Sequence, residues 1–279
     1  MIAPAFFVLY VVWGSTFLAM GSVVHGGIPP LLATGARLLF AGGILLAWHV
    51  HRGGRIAPRA TWPGLAGSGA LMFVGGSGLS MIALRTVDSG LVALLSASMP
   101  VWMAIAARER LVPLAKVGIA LGLAGLVLVL QPGLAGGSVV GLVAGALSPI
   151  AWVAGALWSR SRLRALPAAA LAGHQMLFAA AVAFAIGIAR GEPADLAPTG
   201  DAVLALGYLV VFGNVLGYTS FVYLMARVPA AKVATYAYVN PVIAVVLGWL
   251  VAGEQLAPRV LAGAAVVLVG VALVNGRTA

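Results

Sequence analysis

Ten long apolar runs dominate this sequence, and they constrain its fold more than any other feature. Each run has about 20 residues, the length of helix that crosses the hydrocarbon core of a bilayer. The runs lie near residues 2–24, 30–50, 62–84, 87–107, 113–130, 138–159, 168–189, 203–225, 231–251 and 258–275. They are continuously hydrophobic, whereas the strands of a membrane barrel alternate over about 10 residues. The sequence therefore predicts an all-α polytopic membrane protein with ten transmembrane helices.

The charge distribution supports this prediction and indicates an orientation. Of the 279 residues, 62% are hydrophobic and 8% are charged, whereas a soluble domain carries about 25% charged residues. Twelve Lys and Arg residues follow the even-numbered runs and three follow the odd-numbered runs. By the positive-inside rule, the even-numbered loops and both termini are expected to be cytoplasmic. We therefore interpret the net charge of +10 as an orientation signal and expect no nucleic-acid partner.

One stretch of the sequence occurs twice, at an offset of 145 residues. The identical pairs are Glu109 and Glu254, Leu111 and Leu256, Pro113 and Pro258, Gly118 and Gly263, and Gly125 and Gly270. Glycine richness does not explain the match, because Glu109 and Glu254 are two of only six acidic residues. With five runs in each half, equivalent positions face opposite sides of the membrane. The sequence thus predicts two inverted-topology repeats, residues 1–134 and 135–279, in one integrated transmembrane domain.

Several motifs resemble the drug/metabolite transporter superfamily, specifically its EamA-type exporters. They are Trp13-Gly14-Ser15 in run 1, Arg37 in run 2, Pro100 in run 4, and the Glu/Leu/Pro/Gly/Gly series after runs 4 and 9. The resemblance implies a secondary transporter and not an enzyme, which exports small metabolites by alternating access in a bacterial inner membrane. The length and the aromatic-lined runs are similar to the branch that exports aromatic and other neutral amino acids. A substrate of that kind is therefore expected, with no cofactor.

The acidic residues restrict the coupling mechanism. All six fall in loops or at helix ends: Asp88, Glu109, Glu192, Asp195, Asp201 and Glu254. Proton- and sodium-coupled transporters commonly place a carboxylate at mid-membrane, although a charge there costs at least about 2.5 kcal/mol. The pattern argues against a carboxylate proton relay and against a strong cation site, and we expect no bound metal. A substrate without net charge, or one exchanged down its own gradient, fits better.

Polar and aromatic residues inside the runs predict a substrate cavity near the bilayer midplane, between the two halves. We expect its lining from runs 1, 3, 4 and 8, with partners from runs 6, 7 and 9. The candidate substrate-binding residues are Trp13, Ser77, Ser98, Trp102, Trp152, His174, Gln175, Asn214, Tyr218, Tyr236 and Asn240. Indole rings at this depth suit stacking on an apolar or aromatic substrate. A plainer alternative stays open, because polar residues also join helices and tryptophans also anchor proteins at membrane interfaces.

Two groups that carry or can acquire a positive charge lie inside the runs. His174 could hydrogen-bond the substrate or carry a proton, or it could bridge two helices. Arg37 could grip a substrate carboxylate with two parallel hydrogen bonds, but the aligned residue of the second half is Gln175. We favour a structural role for Arg37, in which it snorkels outward or caps the carbonyl groups of another helix.

Two other functions remain as alternatives. Gly75-Gly76-Ser77-Gly78 resembles the Gly-x-Ser-Gly of rhomboid intramembrane proteases, with His174 available as the base, but the duplication has no explanation in a protease. A channel or a lipid flippase is the other alternative. A channel needs a filter of carbonyl groups or a charged ring, and the sequence contains neither pattern. The expected partners are the lipid bilayer and a small molecule, and we expect a monomer with a dimer left open.

Overall fold

The structure, a computed structural model, describes residues 2–87, 92, 95–107, 112–130, 138–252 and 258–276. Most of these residues are helical, and short turns connect the helices. Ten helices in these residues follow the ten predicted runs in order. They are α1 (Ile2–His25), α2 (Pro30–His51), α3 (Arg59–Ala83), α4 (Met99–Ala107), α5 (Pro113–Leu130), α6 (Val139–Arg162), α7 (Ala168–Ala189), α8 (Gly200–Met225), α9 (Ala230–Ala234 and Tyr236–Ala252) and α10 (Pro258–Gly276). Six of them, α1, α2, α3, α6, α7 and α8, are long and apolar enough to cross a membrane. The all-α prediction is confirmed, whereas the predictions that involve Asp88, Glu109 and Glu254 lie outside the described residues.

Local sequence explains where several helices begin. Pro30, Pro113 and Pro258 each occupy the first position of a helix, where proline loses no hydrogen bond because that backbone N–H has no helical partner. Ser138 and Thr199 precede α6 and α8, and their hydroxyl oxygens accept hydrogen bonds from backbone N–H groups of the first turn. These caps satisfy donors that would otherwise remain unpaired at the helix ends.

The two copies of the repeated motif meet in the α5–α10 pair. A Cβ atom added at Gly118 would lie 2.6 Å from the carbonyl oxygen of Gly270, and one added at Gly125 would lie 2.8 Å from that of Gly263. The residue numbers rise along one helix as they fall along the other, so the two helices are antiparallel. Small residues at such positions let helix backbones approach closely in a membrane.

Helices α2 and α7, which are equivalent in the two halves, also pack antiparallel. Gly35 of α2 lies against the ring of Phe184, and Gly42 lies against the backbone of Gly173. Antiparallel pairing of equivalent helices is what two inverted repeats require. The side of the membrane that each terminus faces, and the boundary between residues 134 and 135, stay predictions.

The first helix of each half packs against the opposite half. Helix α1 contacts α8 and α9, and α6 contacts α3 and α4. Each of these two helices contributes a tryptophan to the crossing: Trp13 lies against Gly217 of α8, and Trp152 lies against Gly76 of α3. The two predicted halves therefore interlock around the centre of the molecule.

Helices α3 and α8 are irregular at equivalent places. Each contains a π-helical stretch, Ala70–Gly78 in α3 and Leu209–Tyr218 in α8. Helix α9 is also interrupted, at Thr235. Such interruptions of the regular α-helix are frequent at functional sites, and in transporters discontinuous helices commonly form the substrate site.

The acidic residues that the structure describes lie in a short turn between α7 and α8 or at the start of α8. The Glu192 carboxylate accepts hydrogen bonds from the backbone N–H groups of Leu31 at 3.0 Å and Leu32 at 2.9 Å, at the start of α2. It thereby satisfies N–H groups of the first helical turn. Asp195 lies in the same short turn as Glu192, and Asp201 lies in the first turn of α8. Among the described acids, none is therefore available inside a transmembrane helix.

Candidate substrate cavity

A cavity lies where the two π-helical stretches and the crossing helices meet. Its described lining comes from α1, α2, α3, α6, α8, α9 and the α4 region. The lining residues are Trp13, Thr16, Phe17, Met20, Arg37, Phe73, Gly76, Ser77, Ser80, Ser96, Met99, Ser148, Trp152, Gly213, Asn214, Tyr218, Tyr236, Ala237 and Asn240. We call this space the central cavity. Arg37 is its one charged side chain among these residues.

Most of the predicted site residues line the central cavity. They are Trp13, Ser77, Trp152, Asn214, Tyr218, Tyr236 and Asn240. Their convergence from five helices agrees with the expected position of the cavity between the halves. A role for each of them in substrate binding stays a prediction.

Ser98 and Trp102 lie away from the central cavity. The indole N–H of Trp102 donates to the Ser98 hydroxyl at 3.1 Å, and that hydroxyl donates to the carbonyl oxygen of Leu95 at 2.6 Å. Trp102 is 39% exposed, so its ring faces outward, where lipid would surround the protein. These two residues form a local pair on the outer surface, which the sequence could not distinguish from a cavity position.

Helix α7 does not contribute to the described lining, although run 7 was expected to. His174 is buried, and its Nδ1 atom lies 2.7 Å from the carbonyl oxygen of Ala170, one turn earlier in the same helix. Helix α2, through Arg37, takes the place expected for α7. No hydrogen bond joins Ser77 to His174 in the described part of the chain, so the geometry gives no support to a serine protease.

Gln175 belongs to a buried polar network that is adjacent to the central cavity. Its side-chain nitrogen donates to the hydroxyls of Ser68 at 2.7 Å and Ser159 at 3.1 Å. Its side-chain oxygen accepts the hydroxyl of Tyr218 at 2.7 Å. The network joins α3, α6, α7 and α8 and fixes the orientation of the Tyr218 ring. Gln175 thus positions a lining residue instead of lining the central cavity itself.

Six aromatic rings from five helices pack together at one end of the central cavity. This aromatic cluster consists of Trp13, Phe73, Trp152, Tyr218, Phe221 and Tyr236. Trp13 contacts two rings of the other half: its ring centroid lies 4.7 Å from that of Tyr236 and 5.5 Å from that of Phe221. Its indole N–H also donates to the carbonyl oxygen of Gly213 at 2.9 Å. Trp13 is therefore held by both stacking and a hydrogen bond.

A second cavity, here called the basic vestibule, lies on the other side of the aromatic cluster. Tyr218 lines both cavities, and Phe221 lines the vestibule. The vestibule also contains Arg160, in the last turn of α6, and Arg164 and Arg227, which follow α6 and α8; this end of both helices is expected to be cytoplasmic. The aromatic cluster thus separates the vestibule from the central cavity. The central cavity extends along α1 from Trp13 to Met20, away from the N-terminus.

Besides Trp152, whose indole Nε1 has no hydrogen-bond partner among the described residues, two side chains of the central cavity carry polar atoms without partners. Arg37 is 4% exposed, and neither Nε nor Nη2 has a hydrogen-bond partner among the described residues. Asn214 is 3% exposed, and its Oδ1 atom likewise has none. The structural role expected for Arg37 does not hold in the described part of the chain, because the side chain neither reaches the surface nor caps a helix there. Buried polar groups are ordinarily paired, so Arg37 and Asn214 each lack a partner that such groups usually have.

Several lining residues were not among the predicted site residues, although helical spacing points to some of them. Trp13, Thr16, Phe17 and Met20 follow the spacing of one helical face on α1. Ser148 precedes Trp152 by one turn on α6, and its hydroxyl pairs with that of Ser80 at 2.7 Å. The periodicity of polar and aromatic residues around each predicted position therefore carries information that single positions do not.

The ten helices of the described residues, with two pairs of equivalent helices packed antiparallel, surround a cavity lined by polar and aromatic side chains, and this arrangement is typical of a multi-pass membrane transporter. The model of the EamA-like transporter family matches residues 1–131 and again residues 139–276. This chain belongs to that family, which is one of transporters and not of enzymes, so the family resemblance predicted from the motifs is confirmed.

Individual relatives agree with this membership. The chain is 35% identical over 257 residues to inner membrane transporter YedA of Escherichia coli K12, with 90% of this chain and 83% of that protein covered. It is 25% identical over 276 residues to transporter YvbV of Bacillus subtilis 168, with 97% and 90% covered. A crystal structure of a protein that is 22% identical superposes with a TM-score of 0.81, covering 98% of this chain and 96% of the other. That likeness supports the fold.

Proposed function

We propose that this protein is a secondary transporter in a bacterial inner membrane, which exports small metabolites, most of all neutral or aromatic amino acids. The observation that carries the proposal is the central cavity, where aromatic rings lie beside unpaired polar atoms and no described lining residue is acidic. Aromatic rings suit the side chain of such a substrate, and the unpaired groups suit its polar end. The relative YedA is named an inner membrane transporter, which supports the proposed location in an inner membrane.

The proposed mechanism is alternating access through the central cavity. The aromatic cluster closes the path toward the basic vestibule, while the cavity extends toward the opposite end of the molecule. With the predicted orientation, this arrangement corresponds to a state closed to the cytoplasm. Separation of Trp13 from Phe221 and Tyr236 would connect the cavity with the vestibule. The two family matches, residues 1–131 and 139–276, support a motion of equivalent halves.

Transport by purified protein in liposomes tests the proposal. Vesicles are loaded with one neutral amino acid at a time, and entry of the same labelled amino acid is followed with and without a pH gradient. We expect saturable uptake that is stimulated by unlabelled substrate inside the vesicles. A channel would give no such stimulation, and a lipid flippase would give none with any amino acid. Either result would contradict the proposed function.

Replacement of Asn214 by alanine should reduce transport without reducing the amount of inserted protein. The change removes an unpaired acceptor from the central cavity, and one hydrogen bond to a charged ligand contributes about 1.5–3 kcal/mol. We therefore expect the KM of transport to rise about tenfold or more. Ser98→Ala serves as the control, because Ser98 lies off the cavity. Equal KM values for Asn214→Ala and the wild type would place the site elsewhere.

A further inference from the structure

We propose that Arg37 binds the carboxylate of the transported substrate, an inference that rests on the proposed function. The side chain is 4% exposed and lines the central cavity. A buried guanidinium without a counter-ion is costly, because it loses hydration that nothing replaces. In the described part of the chain no hydrogen bond to Arg37 is found, and the carboxylate of Glu192, which contacts the start of α2, already accepts from the backbone N–H groups there. A negatively charged ligand would supply the missing partner.

The two unpaired atoms of Arg37 have the geometry for a carboxylate. Nε and Nη2 lie on the same edge of the planar guanidinium, and their N–H bonds point the same way. A carboxylate can accept from both at once, in the paired arrangement that makes arginine the preferred partner of this group. A lysine in the same position would present a point charge and could not form the paired contact.

The charge of the cavity lining indicates one anionic group on the substrate. Arg37 is the single charged side chain among the described lining residues, so one carboxylate matches the site, whereas a phosphate with about two negative charges does not. Asn214 Oδ1 is an unpaired acceptor in the same cavity and suits a donor such as the ammonium group of an amino acid. The bound substrate, with one carboxylate and one ammonium group, would thus carry no net charge.

Matched pairs of probes test this assignment on the full-length protein. L-phenylalanine is compared with L-phenylalaninamide, L-leucine with L-leucinamide, and benzoate with benzamide, while inorganic phosphate is a further probe. Binding is measured by the shift in melting temperature of the purified protein, and transport by uptake into liposomes. We expect the wild type to respond to the acid of at least one pair and not to its amide. A wild type that responds to no acid, or more strongly to an amide or to phosphate, overturns the assignment.

Substitutions of Arg37 separate ligand binding from a structural role. Arg37→Gln should weaken binding of the carboxylate probe about ten- to hundredfold, and Arg37→Lys should retain part of the affinity. Without ligand, Arg37→Gln should melt at the same temperature as the wild type or higher, because the change removes a buried unpaired charge. Arg190→Gln is the matched control, since Arg190 is exposed, and it should behave as the wild type.

The outcomes distinguish this inference from the proposed function. If the wild type transports amino acids and Arg37→Gln transports them with the same KM, the inference fails while the proposed function stands. If benzoate binds in an Arg37-dependent manner and no amino acid is transported, the inference stands while the amino-acid substrate is wrong. A loss of melting temperature in Arg37→Gln without ligand, with probe affinity unchanged, would show that Arg37 is structural and would also overturn the inference.

Discussion

Gly270→Val should largely abolish folded protein. A Cβ atom at position 270 would lie 2.6 Å from the carbonyl oxygen of Gly118 and 2.7 Å from the backbone nitrogen of Gly122. Both neighbours are helix backbone and cannot rotate away as a side chain can, so α5 and α10 would have to separate. Overpacking typically costs about 1–3 kcal/mol, and we expect the upper end or more, since valine adds two further methyl groups.

The measurement is the yield of monodisperse protein in mild detergent, together with its melting temperature. Gly43→Val is the matched control, because a Cβ atom at Gly43 would meet nothing within 4 Å. We expect the control to resemble the wild type and Gly270→Val to lose most of the monodisperse fraction. Equal yields of the two variants would show that α5 and α10 do not approach as closely as described.

Trp13→Ala should remove both stability and transport. The indole contacts Trp152, Phe221 and Tyr236 and donates a hydrogen bond to Gly213. Replacement of a buried tryptophan by alanine typically costs about 3–5 kcal/mol. The substitution would also leave a gap in the aromatic cluster, between the central cavity and the basic vestibule, so coupled exchange should be lost even in the protein that remains folded.

Trp48→Ala is the control for this second change, because Trp48 is 53% exposed and removal of its ring opens no gap in the core. Melting temperature and counterflow are compared in both variants at equal amounts of inserted protein. We expect a large loss of both in Trp13→Ala and little change in Trp48→Ala. Trp13→Ala with normal counterflow would be incompatible with a closing role for the aromatic cluster.

Features that depend on long stretches of sequence were predicted well. The ten apolar runs predicted the helices, because a segment that crosses lipid must satisfy its backbone hydrogen bonds internally. The paired glycines, such as Gly118 and Gly125, were recognised as repeats, and the structure shows why they recur: they meet their equivalents across the α5–α10 contact. A repeat in the sequence thus became a contact between its own two copies.

Features that depend on the direction of a side chain were predicted less well. His174 and Gln175 lie at a suitable depth in α7, but depth does not say which neighbour a helix face meets. The π-helical stretch Ala70–Gly78 changes the angular position of the residues after it. The residue types in this stretch did not predict the change. The availability of Arg37 was also hidden, because whether a buried charge finds a partner is decided by residues distant in sequence.

A single cysteine in the central cavity tests whether the cavity opens to the two sides of the membrane in turn. The chain contains no cysteine, so Ser77→Cys introduces one unique thiol into the cavity lining. A membrane-impermeant maleimide is applied to right-side-out and to inside-out vesicles, with and without substrate. With alternating access, we expect the thiol to react from either side and substrate to shift the ratio of the two rates. Reaction from one side alone, at a rate that substrate leaves unchanged, would contradict alternating access.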